Sequence, residues 1–485
     1  MKVLIAYPAL GGPLSPMLTQ NRQFQWYHVP SFIYPLIPAT AATLLAREGF
    51  EVLWHDGIAA GATQDDFDQL LERNQPDLVV LETKTPVIRR HWALTARIKQ
   101  ILPGARVALF GDHVTARPRE TLEHSPADFA ICGGDVDVSL LGLCRHLADR
   151  AKRPPGLHYR RGKQIRSSGP FVLCDDLDVL PFPDRTLTHA ERYGEKWRRF
   201  EPFFYTLAGR DCPWHRCTFC AWTVTHPRFR VRSVDNLLAE IGELETRYGA
   251  REIFDDTGTF PRGKWLRRLC EGLIAHGFHR RLRFGCNFRF DWLTPGTARR
   301  MHAAGFRKLK IGLESANAET LRRLDKGTTP AQIEQGCRAA ARAGLDVHLT
   351  VMLGFPWEDL AAVERTYELT RKLMRSGWVE MLQATIAVPY PGTRLHEEAL
   401  EQGWLAIDPE DWDAYDMSRP ILRTPADVGP QTINELAART YRLHFDPRYV
   451  AHRVLKLRRP EDLRYALRGV KSMAGHVRDF LRGTG

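Results

Sequence analysis

Twice along this chain, apolar runs of strand length alternate with stretches of helical spacing, and that alternation restricts the fold more than any other feature. In the first series KVLIAY (2–7), EVLWHD (51–56), DLVVLET (77–83), RVALFGD (106–112) and DFAICGG (128–134) read as strands, several closing on Gly, Asp or Thr. Residues 38–48, 63–73, 87–101 and 120–124 between them carry helical spacing or helix formers. The pattern predicts an α/β domain over 1–150 with a doubly wound, mostly parallel sheet of flavodoxin or Rossmann type. Ligands of such sheets sit beyond the carboxyl ends of the strands, so loops 8–16, 83–86, 111–117 and 133–137 are the ones to watch.

From 151 to 202 the pattern loosens into a linker, with a hairpin expected around Gly162 and a proline-punctuated stretch, DDLDVLPFPD, after it. The second series covers 203–400. Its strands are FFYTLAG (203–209), EIFDDT (252–257), LRFGCNF (282–288), KLKIGLES (308–315), DVHLTVMLGFP (346–356) and EMLQATIAV (380–388), with helices at 234–248, 264–276, 295–304, 331–343 and 360–375. Six repeats rather than eight predict a partial (β/α)6 barrel, whose chemistry gathers at the carboxyl ends of the strands. Residues 401–485 add Trp404, Trp412 and Tyr415 and then basic helices.

Composition narrows the class. The 485 residues hold 69 Lys plus Arg against 57 Asp plus Glu, a net +12, and 44% are hydrophobic, so the chain is globular rather than disordered or fibrous. From 440 to 485 there are 11 basic and 4 acidic residues, a local excess of 11 − 4 = +7 that suits a polyanion, a membrane surface or a solvated helical face. No apolar run is long enough to span a bilayer, and the first residues read as a strand rather than a leader, so a cytoplasmic protein is expected.

Nine cysteines are too few and too scattered for a disulfide framework. Three of them, Cys212, Cys217 and Cys220, fall in the loop after the first barrel strand, and the other six read as small buried hydrophobes. Clustered thiols make a soft-ligand metal site, zinc or iron–sulfur. A structural zinc needs four closed ligands, for which His215 or His226 would have to join. Three cysteines without an evident fourth fit a 4Fe-4S cluster with one open iron.

At this point the chain resembles the radical S-adenosylmethionine (radical SAM) enzymes that carry an N-terminal cobalamin-binding-type domain. The front-domain motifs are Pro38 with Ala41, Ala42, Leu44 and Gly49, then Pro76-Asp-Leu, Gly111-Asp-His-Val-Thr-Ala-Arg-Pro and Asp128-Phe-Ala-Ile-Cys-Gly-Gly. Those of the barrel are Cys212 to Cys220, Phe229-Arg-Val-Arg-Ser, Phe254-Asp-Asp-Thr, Gly312-Leu-Glu-Ser, Leu353-Gly-Phe-Pro and Pro389-Tyr-Pro-Gly-Thr. The likeness runs from about residue 1 to 404. A weaker similarity, in Leu177-Asp-Val-Leu-Pro-Phe-Pro and Cys220-x-Trp222, points to members acting on hopanoid lipids and the porphyrin ring.

The resemblance implies roles. Cys212, Cys217 and Cys220 ligate three irons of a 4Fe-4S cluster whose fourth iron binds the methionine end of S-adenosylmethionine, and reduction then yields a 5′-deoxyadenosyl radical. Phe219 lies beside the adenine, Asp255 and Asp256 hold the methionine amino group, and Glu314 and Ser315 bind the ribose hydroxyls. Arg289 pairs with the methionine carboxylate or, alternatively, with Asp291. Loops bearing Thr83, Gly111, Asp112, His113, Gly133 and Gly134 cradle cobalamin, or else the fold is kept with that site empty.

Two departures stand out. Four residues separate Cys212 from Cys217 where the family has three, and Pro8-Ala-Leu-Gly-Gly-Pro offers no His as lower axial ligand of cobalamin. The resemblance implies a cobalamin-dependent C-methyltransferase acting on an unactivated carbon of a natural product or lipid-linked metabolite, the C-terminal region shaping the substrate side. It also implies an external one-electron reductant such as flavodoxin or ferredoxin. Ring rearrangement or cyclization without methyl transfer, tRNA modification and a zinc-stabilised binding scaffold are the rivals. The tRNA reading lacks an appended RNA module, so a nucleic-acid partner is not expected; peripheral membrane contact stays open.

Overall fold

The computed structural model describes residues 1–10, 15–16, 26–27, 31–457 and 460–482. The front sheet has seven strands in the order Glu51–Asp56, Lys2–Tyr7, Leu78–Glu82, Arg106–Phe110, Phe129–Ile131, Leu157–Arg161, Gln164–Ser167. The first five are parallel, and the order reverses between Lys2–Tyr7 and Leu78–Glu82, as in a doubly wound sheet. The near-continuous burial of the inner strands Lys2–Tyr7, Leu78–Glu82 and Arg106–Phe110 follows from helices on both faces. The hairpin around Gly162 adds the two antiparallel strands at one edge, so this sheet runs past residue 150 into the stretch expected to be linker. A helix at Val136–Leu147 went unforeseen, because its residues are buried on most sides and show no polar stripe.

The second sheet has six parallel strands in sequential order, Phe203–Thr206, Glu252–Asp255, Arg283–Phe288, Phe306–Glu314, Asp346–Leu353 and Met381–Ile386. This is the open (β/α)6 arrangement. Helices between the strands start on side-chain caps, with Ser233, Thr294, Thr329 and Asp359 accepting from backbone N–H groups that otherwise have no partner.

The amino end of this barrel is closed by charge. Lys308, fully buried, forms an ion pair with Glu380 at 2.8 Å, and Arg453 donates to the same carboxylate at 2.9 Å. Arg307 pairs with Glu252, and Arg199 reaches Asp462 of the last helix, Pro460–Arg482, at 2.8 Å. Tyr465 of that helix accepts from Lys308 at 3.3 Å, so the C-terminal region seals the end of the barrel opposite the cysteines.

The two sheets are sewn together where loop 133–137 meets the barrel. Asp135, 1% exposed, accepts from Arg210 at 2.8 Å, from Arg230, and from the Cys174 backbone N–H at 2.7 Å. Asp137 accepts from the same Arg210. An apolar cluster continues across the junction, joining Leu81 and Leu109 of the front sheet to Phe219, Phe355, Tyr390 and Trp412.

Candidate functional site

The loop after strand Phe203–Thr206 carries the three cysteines to the carboxyl mouth of the barrel. Cys212, Cys217 and Cys220 line a cavity of about 220 Å³, together with Phe219, Thr259, Asn287, Arg289, Glu314 and Lys326 on its walls. Deeper in the lumen the walls are Lys310, Thr350, Met352, Gln383 and Thr385. A larger groove of about 470 Å³ lies elsewhere, between the 290–295 loop and helix Pro330–Ala343, and contains no cysteine. The cavity holding the thiols is therefore the site.

The cysteine loop has unusual backbone on both sides of Cys212. Asp211 and His215 take left-handed conformations, at φ 74° and 49°, and pair with each other through their side chains. Trp214, in the lengthened loop, donates through Nε1 to the Asp325 carbonyl at 2.6 Å and lies under the Arg289 guanidinium, 4.3 Å from the ring centroid. Its ring fills the place that a Cβ on Gly327 would need, 2.2 Å away.

Glu314 points into the cavity because the strand is irregular there. Its register shifts between Gly312 and Glu314, and Glu314 sits at φ 59°, which bends the strand and re-aims the carboxylate. Lys326 donates to that carboxylate at 2.6 Å, and a Cβ on Gly312 would strike both partners. Burial opposes the Lys326 charge, but Glu314 and Cys217 together hold its pKa above the ordinary lysine value. Neither Lys326 nor Asn287 was singled out from sequence. The only local signal for Lys326 was a Lys before the turn glycine in Leu324-Asp-Lys-Gly.

Burial pushes the Cys217 thiol up to about 11 and the Cys220 thiol higher still. Both are protonated at neutral pH until a cation displaces the proton, so metal uptake here releases protons. Cys212 donates to the Thr259 hydroxyl at 3.1 Å. Among the described residues no group of three or more His, Cys, Asp or Glu is arranged to hold a metal ion. The thiols share a cavity instead of meeting at a point. His215 pairs with Asp211, while His226 is buried against Thr225, so neither stands ready as a fourth zinc ligand. Three thiols around a shared space suit a multi-iron cluster better than a closed four-ligand zinc.

Several expected contacts point away from the cavity. Asp255 accepts from Thr206 at 3.0 Å, Ala208 N–H at 2.6 Å and Thr257 N–H at 3.1 Å, which fixes the strand exits, and burial lifts its carboxyl to about 7. Asp256 accepts from Asn287 at 3.3 Å and does not line the cavity. Ser315 is fully buried and donates to Glu358 at 2.6 Å, so its hydroxyl faces the barrel wall. Arg289 lines the cavity, yet its Nε donates to Asp291 at 2.9 Å and its Nη2 to the Lys326 carbonyl at 2.6 Å. That is the structural pair weighed against a ligand role.

The corrin cradle expected in the front domain is packed with the chain's own atoms. A Cβ on Gly111 would lie 2.2 Å from the Thr83 carbonyl, one on Gly133 2.6 Å from Phe171, and one on Gly134 1.9 Å from His226. Asp112 is buried; burial raises its carboxyl, partly offset by the Lys84 charge. His113 is buried under Trp412, ring centroids 5.0 Å apart, and burial drives its imidazole down to about 3. The loop after the first strand falls mostly in 11–30, largely outside the described residues.

Residues 207–370 match the radical SAM superfamily, a span that holds all three cysteines, Arg289, Glu314 and Lys326. They are a radical SAM domain. The chain is 28% identical to a protein of Pyrococcus horikoshii described as an uncharacterized methyltransferase, over 82% of this chain and 84% of that one. It is 24% identical to the anaerobic magnesium-protoporphyrin IX monomethyl ester cyclase of Cereibacter sphaeroides, spanning 76% of this chain and 60% of the cyclase. Among solved structures, the radical SAM methyltransferase TsrM of Kitasatospora setae superposes with a TM-score of 0.69 at 15% identity, over 100% of this chain and 99% of TsrM. The cobalamin-dependent radical SAM enzyme OxsB gives 0.69 at 16% identity, over 98% and 71%. The likeness to these two is one of fold, front domain included. A radical SAM enzyme uses a 4Fe-4S cluster and S-adenosylmethionine, and the thiol-lined cavity fits that requirement.

Proposed function

We propose that this radical SAM enzyme transfers a methyl group to a carbon of a small-molecule or lipid-linked substrate. The observation that carries the reading is the single cavity in which Cys212, Cys217 and Cys220 meet Phe219, Arg289, Glu314 and Lys326 at the barrel mouth. Methyl transfer is supported by the relatives: the Pyrococcus protein is described as a methyltransferase, and TsrM is one whose structure holds cobalamin and a 4Fe-4S cluster. Their example supports cobalamin as a further cofactor of this chain.

When bound, the cluster and S-adenosylmethionine supply one-electron reductive cleavage of the sulfonium to methionine and a 5′-deoxyadenosyl radical, the electron coming from an external donor. The protein's part is to bind, orient and keep water out. Cys212, Cys217 and Cys220 give up their protons to become ligands. Glu314, aimed inward by the strand bulge and paired with Lys326, would accept hydrogen bonds from hydroxyl or ammonium groups in the cavity. Phe219, 8% exposed with Lys326 5.9 Å from its ring centroid, offers a flat apolar wall for a planar base. Lys310, Thr350, Gln383 and Thr385 continue the cavity into the lumen, where a substrate would lie under the thiols.

Protein reconstituted anaerobically and incubated with reductant, S-adenosylmethionine, hydroxocobalamin and an acceptor is expected to form both 5′-deoxyadenosine and S-adenosylhomocysteine. 5′-Deoxyadenosine alone, with acceptor converted to a cyclised or rearranged product, would replace methyl transfer by the rearrangement reading.

A further inference from the structure

The last helix, Pro460–Arg482, has two unlike faces. One is clamped to the barrel by Tyr465, Met473 and Phe480, each 6% exposed or less, and by the buried Asp462 that pairs with Arg199. The other turns Leu463, Leu467 and Val470 outward at 54%, 64% and 56% exposure, spaced so that they stand above one another on one stripe. Arg464, Lys471 and Arg478 are exposed beside that stripe, while the helix's two aspartates, Asp462 and Asp479, are buried on the inner face. The preceding helix, Pro447–Val454, continues the pattern, with Val454, Leu455 and Lys456 exposed at its end. Half of the large apolar residues exposed among the described residues fall within 445–470.

An apolar stripe flanked by cations, with the aspartates turned inward, is costly in water but complementary to an anionic lipid surface, where the side chains enter the acyl boundary and the cations meet headgroups. RNA would answer the charge but leave the leucines exposed. No helix among the described residues is long and apolar enough to cross a membrane, so the contact is peripheral. We propose that helix Pro460–Arg482 docks this protein on anionic membrane surfaces. The buried face of the same helix seals the barrel, so the docked enzyme would be held with that end of the barrel against the bilayer. This inference is independent of the reaction catalysed.

The test is cosedimentation of the full chain with vesicles of equal parts phosphatidylcholine and phosphatidylglycerol, and with vesicles of phosphatidylcholine alone. Binding is expected to the mixed vesicles only. It should fall by about tenfold or more in Leu463→Gln/Leu467→Gln, and comparably in Arg464→Gln/Lys471→Gln, the latter retaining little salt dependence. All four positions are exposed, so thermal unfolding and iron content should match the parent. No binding to the mixed vesicles would overturn the proposal. So would binding that survives the leucine substitutions, or a tRNA gel shift that is lost with the basic pair and untouched by the leucines.

Discussion

Alanine at Cys217 or Cys220 is expected to leave a folded chain that no longer cleaves S-adenosylmethionine. Each substitution removes one sulfur atom from the wall of an existing cavity, so no new sealed void is created and the cost of a core truncation is largely avoided. Neither thiol is tied into a disulfide, as all nine cysteines are free. The chemical cost is another matter, since these thiols have to become thiolates and stay bound, and an alanine in their place offers the metal nothing. Unchanged thermal unfolding of the metal-free chains, together with loss of detectable 5′-deoxyadenosine, is the expected pair of results. Sulfonium cleavage at the parent rate in either variant would remove the cysteines from the chemistry.

Glu380→Ala should be the most damaging substitution for stability, by about 3 to 5 kcal/mol, because it strands buried cations without their anion. Burial alone would raise the Glu380 pKa, but Lys308, Arg453 and Arg307 together hold it well below the ordinary carboxylate range. A carboxylate depressed in this way contributes stability above its unfolded pKa and loses it as the pH falls through the folded value. The gap between parent and variant in chemical unfolding should therefore be full at neutral pH and close only in strong acid. Glu380→Gln keeps the shape but not the charge, and its amide NH2 must face either Lys308 or Arg453 where an accepting oxygen stood, so it should show most of the loss. A variant of parental stability at pH 7 would mean that Lys308 finds its counter-charge elsewhere.

How far the sequence foretold this molecule differs by feature. All the strands of both parallel sheets were legible, since each is an apolar run bounded by turn residues. The hairpin was seen, but not its union with the front sheet, because Leu157-His-Tyr-Arg-Arg and Gln164-Ile-Arg-Ser lack the apolar continuity of an interior strand. Within the site, the cysteines could be named from their clustering, and Phe219 and Glu314 from the family resemblance. Which way Ser315 faces could not be read, since a one-residue change of register at the Gly312–Glu314 bulge decides which side chain enters the cavity, and Asp255 and Asp256 are held by tertiary contacts to Thr206, Ala208 and Asn287. Lys326 meets Glu314 from a loop beyond the next short helix, a pairing made by tertiary packing. At the front-domain glycines Gly111, Gly133 and Gly134, the groups that approach closely are Thr83, Phe171 and His226 of the chain itself, which no local pattern announces.

The most direct measurement is the metal content of the anaerobically purified chain beside the variant with alanine at Cys212, Cys217 and Cys220. The expected result is about four irons and four sulfides per parent chain, as a 4Fe-4S cluster requires, and none in the triple variant. One zinc per parent chain, or iron that the triple variant keeps, would contradict it.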